Sequence, residues 1–171
     1  GVGNTPWTVL AEGIADTTEV WTIGEATFLV SVAVMFLWIP IKETPGIGTI
    51  LNIIIIALTI HVMVPILPQP ENPLVSILMA SLGIVLVGIG SCMYLTANLG
   101  PGPRDGWMTG LQRTTGIPIG RVRIAIEASV LVIGIVLGGT FGIGTILFAV
   151  TIGPVVASCL SIASRIDSTT R

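Results

Sequence analysis

The feature that most constrains this 171-residue chain is a series of long, almost uncharged apolar runs. They are Glu25–Ile41, Gly46–Leu67, Leu74–Ala97, Val122–Gly138 and Gly142–Ser164. Crossing a hydrocarbon core about 30 Å thick takes roughly 20 helical residues, and each run reaches or approaches that length. Backbone inside hydrocarbon must satisfy its own hydrogen bonds, so runs of this length are expected to be helices. Pro45, then Pro68, Pro70 and Pro73, then Gly100 through Pro103, then Gly138 and Gly139 mark their ends.

Charge and cysteine usage narrow the class further. Only 9% of residues are charged and the mean hydropathy is +0.98, against about 25% charged in a soluble domain. A net charge of −2 with no basic stretch excludes nucleic-acid binding. Cys92 and Cys159 lie inside apolar runs and form neither a metal motif nor a disulfide framework. No Ser/His/Asp, Cys/His or zinc-spaced set appears, so no catalysis, metal or cofactor is expected. The expected fold is all-α: a polytopic helical bundle in a membrane, folded as a single transmembrane domain.

The positive charges set an orientation. Five spans place residues 1–24, 68–73 and 139–141 on one side, and residues 42–45, 98–121 and the tail from Arg165 on the other. Lys42, Arg104, Arg113, Arg121, Arg165 and Arg171 fall on the second side, with Arg123 just inside its span, and no Lys or Arg falls on the first. Basic residues mark the cytoplasmic face, so the second side is expected to be cytoplasmic and the first the outer one. The outer side carries Glu12, Asp16, Glu19 and Glu71. Trp7 and Trp21 are expected in an outer aromatic belt, and Trp38, Tyr94 and Trp107 in an inner one.

An internal repeat runs through the chain. Gly46-Ile47-Gly48-Thr49-Ile50-Leu51 recurs as Gly142-Ile143-Gly144-Thr145-Ile146-Leu147, an offset of 96. At the same offset Gly24 meets Gly120, Val34 meets Val130, Ile39 meets Ile135 and Thr44 meets Thr140. Upstream, Gly1-Val2-Gly3 with Pro6-Trp7 resembles Gly100-Pro101-Gly102 with Gly106-Trp107. The first copy, residues 1–67, lacks a counterpart of the span Leu74–Ala97 that opens the second copy, residues 74–164. The expectation is a six-span design with five spans visible, its first helix missing from this sequence. Three spans per copy force the copies into opposite orientations, a 3+3 inverted repeat with Gly/Pro-broken loops.

Candidate binding residues sit in and beside these loops, Gly1–Trp7 and Asn98–Trp107. Thr5 suits a helix cap before Trp7, and Asp105 a helix start. The stretch Asp105–Thr114 is too polar to span, and is expected at the interface or dipping partly in. Arg104 beside an inward-pointing helix N-terminus suits an anion; the alternative is a structural turn with Arg104 paired to Asp105 or a lipid phosphate. Glu127 follows Arg123 at i,i+4, either as a self-neutralising ion pair or as a proton- or substrate-binding carboxylate. Its repeat partner is Ser31, which makes any such role one-sided. Asn52 reads as a bridge between helices or a substrate ligand. His61 reads as hydrogen-bonded to a neighbour rather than a ligand, and Gly134 with Gly138 as a helix-packing GxxxG. Thr49 and Thr145 are expected to satisfy backbone groups at two tight helix starts. The substrate-binding candidates are therefore Arg104, Asp105, Asn98, Thr5, Trp7, Asn52 and Glu127.

Leu99-Gly100-Pro101-Gly102-Pro103-Arg104-Asp105-Gly106, Met108-Thr109-Gly110-Leu111, Val122-Arg123, Ile126-Glu127, Gly138-Gly139, Gly142-Ile143-Gly144-Thr145 and Ile152-Gly153-Pro154 carry a resemblance. The chain resembles, over essentially its whole length, the bacterial YczE/YyaS/YitT-type membrane proteins. The resemblance implies an inner-membrane protein with more spans than are seen here, and names no substrate. Pro6-Trp7 resembles a Pro-Trp-Asp element of that family, with Thr8 in place of the acid. The leading functional expectation is a small transporter or channel-like protein, expected to show a polar cavity near mid-membrane. The alternative is a non-transporting scaffold or regulatory membrane protein, expected to show a packed core and an apolar lateral groove. The expected partners are the lipid bilayer and a small-molecule or anionic substrate, with homo-oligomer formation left open.

Overall fold

The computed structural model describes residues 3–18, 20–68 and 70–169, without the side chains of residues 119 and 164–169. Gly1-Val2 of the repeat, Glu19, and the Arg165 and Arg171 charges lie outside the described residues and side chains. Among the described residues the chain is all helix: α1 (Pro6–Thr18), α2 (Ile23–Phe36), α3 (Trp38–Ile41), α4 (Ile47–Met63), α5 (Pro73–Thr96), α6 (Pro103–Thr115), α7 (Ile119–Val136) and α8 (Ile143–Thr169). Three stretches are long and apolar enough to cross a membrane: Ile23–Ile41, Pro73–Thr96 and Ile143–Ala163. Ile47–Met63 is a shorter apolar helix, and α7 carries Arg121, Arg123 and Glu127 in its 18 residues. This is a helical membrane protein.

Two helix ends differ from the reading by hydropathy alone, and proline explains both. The run Gly46–Leu67 is helical only to Met63, because Pro65 cannot continue the backbone ladder and its ring opposes the preceding turn. Glu25–Ile41 breaks at Leu37, where Pro40 would leave the Phe36 carbonyl without a donor. The remaining starts follow local chemistry. Thr22 and Glu25 form a reciprocal capping box on α2, and the Asn72 side chain accepts from Leu74 N at 2.9 Å ahead of Pro73.

α1 and α6 are the elements that shape the interior. Each is a 13-residue helix opened by proline, about 20 Å long, and so too short to span. Three residues before each proline stands a glycine with left-handed backbone, Gly3 (φ 91°) and Gly100 (φ 111°). Gly3 and Gly100 thus hold the same place ahead of their helices. Gly100 lies against Gly46 and Thr49, and Gly3 against Gly142 and Thr145. The Thr49 hydroxyl accepts from Gly46 N (3.1 Å) and donates to Pro101 O (2.8 Å); Thr145 accepts from Gly142 N (3.3 Å).

From these clasps the two short helices run apart. α1 follows α7 to the turn after it, where Glu12 accepts from Thr140 N and its hydroxyl. α6 follows α2 and α3 to the turn after them, where Arg113 pairs with Glu43 at 2.9 Å. Their first turns abut, and around that junction Trp7, Val30, Val34, Met108, Val122, Ile126 and Val130 form the main core cluster. Trp7 and Trp38 are 4% and 2% exposed, so they are core residues and not belt anchors. Trp38 Nε1 donates to Pro103 O at 2.9 Å, and its ring lies where a Cβ of Gly106 would stand. Gly134 presses against the backbone of Val9 and Leu10, whereas Gly138 (φ 100°) meets nothing within 4 Å. The GxxxG reading thus holds for Gly134, and Gly138 serves the turn. The outer surface is apolar: Leu82, Leu86, Val136 and Ile162 stand 60% to 79% exposed, as expected of side chains that face lipid.

Candidate functional site

A cavity of about 130 Å³ opens where the first turns of α1 and α6 meet. Trp7 of α1 and Gly102 to Asp105 of α6 form one wall. Asn52 on α4, Ser91 and Tyr94 on α5, Ser31 on α2, and Arg123 and Glu127 on α7 supply the remaining polar lining. Five of the seven candidates from the sequence converge here: Trp7, Asn52, Arg104, Asp105 and Glu127. Thr5 and Asn98 do not line it. The Thr5 hydroxyl caps α1 by accepting from Thr8 N at 3.2 Å, and Asn98 is an exposed residue with φ 53° in the turn after α5.

The charged side chains are not equivalent. Arg123 Nε and Glu127 Oε1 form an i,i+4 ion pair at 3.0 Å. Glu127 is only 8% exposed and sits mid-way along α7, deeper than its place in the sequence suggested. Ser31, 96 residues earlier in the sequence, lines the same cavity. Asp105 does not cap α6; its Oδ2 accepts from the Tyr94 hydroxyl. Burial pushes the Asp105 carboxyl up to about 6, with Arg123 drawing it down and Glu127 adding to the rise. Arg104 is not paired with Asp105, and among the described residues it has no ion pair. Its guanidinium lies over the Trp7 ring, 4.8 Å from the centroid. Burial pulls it down to about 10, against the opposing pull of Glu127.

Asn52 makes no helix-bridging hydrogen bond among the described residues; its Oδ1 stands 3.1 Å from where a Gly102 Cβ would be. His61 accepts or donates at Nδ1 to the Thr22 hydroxyl at 3.0 Å, a neighbour contact outside the cavity. Tyr94, Ser91 and Arg123 belong to the cavity although sequence reasoning had not placed them there. The i, i+4, i+7 spacing of Val87, Ser91 and Tyr94 on one face of α5 is the signal that could have grouped two of them. A second hollow of about 610 Å³ is an apolar groove between α2 and α4, lined by Phe28, Leu29, Ile54 and Leu58 with Glu25 and His61 at its rim. No group of three or more metal-ligating side chains occurs among the described residues.

Fold and cavity together define a polytopic helical membrane protein with a charge-bearing interior cavity. Residues 1–161 match the profile of a family of unknown function (DUF6198), and the chain belongs to that family. It is 46% identical over 166 residues to an uncharacterized protein of Haemophilus influenzae, covering 97% of this chain and 76% of that protein. It is 35% identical over 133 residues to the uncharacterized membrane protein YczE of Bacillus subtilis, covering 77% of this chain and 62% of YczE. The YczE-type resemblance read from the sequence is thereby established. No solved structure matches the chain.

Proposed function

We propose that this chain is a small transporter or channel-like protein of the bacterial inner membrane, and that the cavity between α1 and α6 is its solute site. The observation that carries this reading is a set of charged and polar side chains gathered inside a bundle whose outside is apolar. Buried ionisable groups are costly in a membrane interior and are retained mostly where solute, ion or proton passes. Two broken helices meeting at their first turns, one from each copy, are a further support. The copies act as an inverted repeat in this reading, since α1 and α6 start from matching glycine clasps and leave in opposite directions. The Lys/Arg-bearing end faces the cytoplasm and the acidic end the periplasm. No catalytic role is assigned.

The apolar groove between α2 and α4 favours a second reading, a scaffold or regulatory protein that receives a partner helix sideways. Cysteine accessibility separates the two. With Cys92 and Cys159 replaced by serine, Ser31→Cys and Ser91→Cys are expected to react with a small membrane-impermeant thiol reagent from at least one face. Absence of reaction from either face, with Glu71→Cys labelling normally, would sink the transport reading.

A further inference from the structure

The charges lining the cavity, Arg104 and Arg123 against Asp105 and Glu127, are equal in number but not all paired. Arg123 is neutralised by Glu127 at 3.0 Å, and the Asp105 carboxylate receives the Tyr94 hydroxyl. Arg104 is left with five N–H donors and no acceptor among the described residues, held only by the face of Trp7. It is half-buried and lines the cavity. A guanidinium that faces a cavity with its donors unpaired is a ready partner for a carboxylate. The first-turn N–H groups of α6 favour an anion at the same place, because the cap residue Gly102 offers no side chain to them. Asn52 brings a further unpaired amide beside Gly102.

The lining is graded along α4 and α5. On α4, Asn52 is followed one turn on by Ile56; on α5, Tyr94 and Ser91 give way to Val87. α8 adds only Phe148 and Ile152. Polar groups therefore gather near the start of α6 and apolar ones lie beyond them. The volume of about 130 Å³ is roughly four times the ~30 Å³ share of a liquid water molecule. Resting on the solute-site reading above, we propose that the cavity takes a small organic carboxylate. Its head group is held by Arg104 and Asn52, and its short aliphatic part lies against Ile56, Val87, Phe148 and Ile152. A bare inorganic anion would satisfy Arg104 but leave the apolar wall facing a void; a neutral solute would leave the guanidinium unpaired.

The test compares melting of the purified protein in equal concentrations of sodium propionate, propionamide and sodium chloride. Propionate is expected to raise the melting temperature by several degrees, propionamide and chloride to leave it unchanged, and Arg104→Gln to lose the propionate shift. Equal protection by propionamide or by chloride overturns the proposal, as does no protection by any carboxylate from formate to butyrate. These arms use the wild-type protein, so they decide even where Arg104→Gln does not fold. Propionate should also slow thiol labelling of Ser91→Cys. Labelling that proceeds normally but ignores every carboxylate overturns the carboxylate proposal and leaves the solute site standing. Cavity cysteines that never label overturn both.

Discussion

Arg104 and Arg113 lie on the same short helix and carry the same charge, yet their surroundings give them different tolerance for lysine. Arg104 stacks a planar guanidinium on Trp7, a contact that lysine's compact ammonium on a flexible stem reproduces poorly. Arg104→Lys is expected to weaken solute binding or transport at least tenfold, with membrane abundance measured alongside to separate folding from function. Arg113 is 59% exposed and pairs with Glu43 at the surface. Such pairs contribute about 0–1 kcal/mol, so Arg113→Lys should leave both abundance and melting unchanged. Asp105 supplies a pH dependence. Its carboxyl is raised by burial from 3.8 to about 6, so the folded protein binds a proton more tightly than the unfolded chain. That contribution is complete below about pH 4 and is lost as the pH rises through about 6. Stability should fall between about pH 4 and pH 6, by at most about 3 kcal/mol. Asp105→Asn, which still accepts from Tyr94, should flatten the profile; an unchanged slope would assign it to another group.

At the scale of elements, the clasp that starts each broken helix is the device to test. Gly100 has φ 111°, and a Cβ there would stand 2.8 Å from the Gly46 Cα and the Thr49 hydroxyl. Gly100→Ala combines left-handed strain of about 1–3 kcal/mol with a backbone clash that cannot relax through a side chain. It should lower the melting temperature sharply, while Gly120→Ala, whose Cβ meets nothing within 4 Å, should be neutral or gain up to about 1 kcal/mol. Equal effects would mean that the clasp is not holding α6. The clasp also shows what the sequence could reveal. Gly-Ile-Gly-Thr with an upstream glycine is local chemistry, and its role as a tight helix start was readable from residue type. The all-helical membrane fold was readable for the same reason, since long apolar runs leave the backbone no other hydrogen-bonding solution. The direction of a side chain was not. Trp7 and Trp38 read as belt residues because hydropathy gives depth along a span and not the face a ring takes. Trp7, Arg104, Asp105, Asn52 and Glu127 stood out singly as polar or aromatic residues in apolar surroundings. Their convergence depends on α1 and α6 meeting at their first turns, a long-range contact with no local signal. Asn98 and Thr5, chosen for their loop position, serve the turn and the cap.

Over the whole molecule, charge is polarised along the bundle axis. Lys42, Arg113 and Arg121 gather at the end where α3 and α6 finish and α7 begins, and Arg113 is tied there to Glu43 and the Ile41 carbonyl. At the opposite end Glu12 holds the turn between α7 and α8 through Thr140, and Glu71 lies just before α5. Apart from Glu43 at the basic end, these acids and bases mark two ends separated by apolar helices, which is the distribution that membrane insertion sorts. The same axis relates the broken helices, since α1 leaves the cavity toward the acidic face and α6 toward the basic one. A protein inserted with the basic face in the cytoplasm therefore has α6 as its inner half-helix and α1 as its outer one. With Cys92 and Cys159 replaced by serine, Glu71→Cys should react with an impermeant maleimide in intact cells. Thr115→Cys, at the far end of α6, should react only after permeabilisation. The reverse pattern would invert the assignment of faces while leaving the cavity unchanged. Equal labelling of both positions in intact cells would overturn the single orientation itself, and with it the placing of α1 and α6 on opposite sides of the membrane.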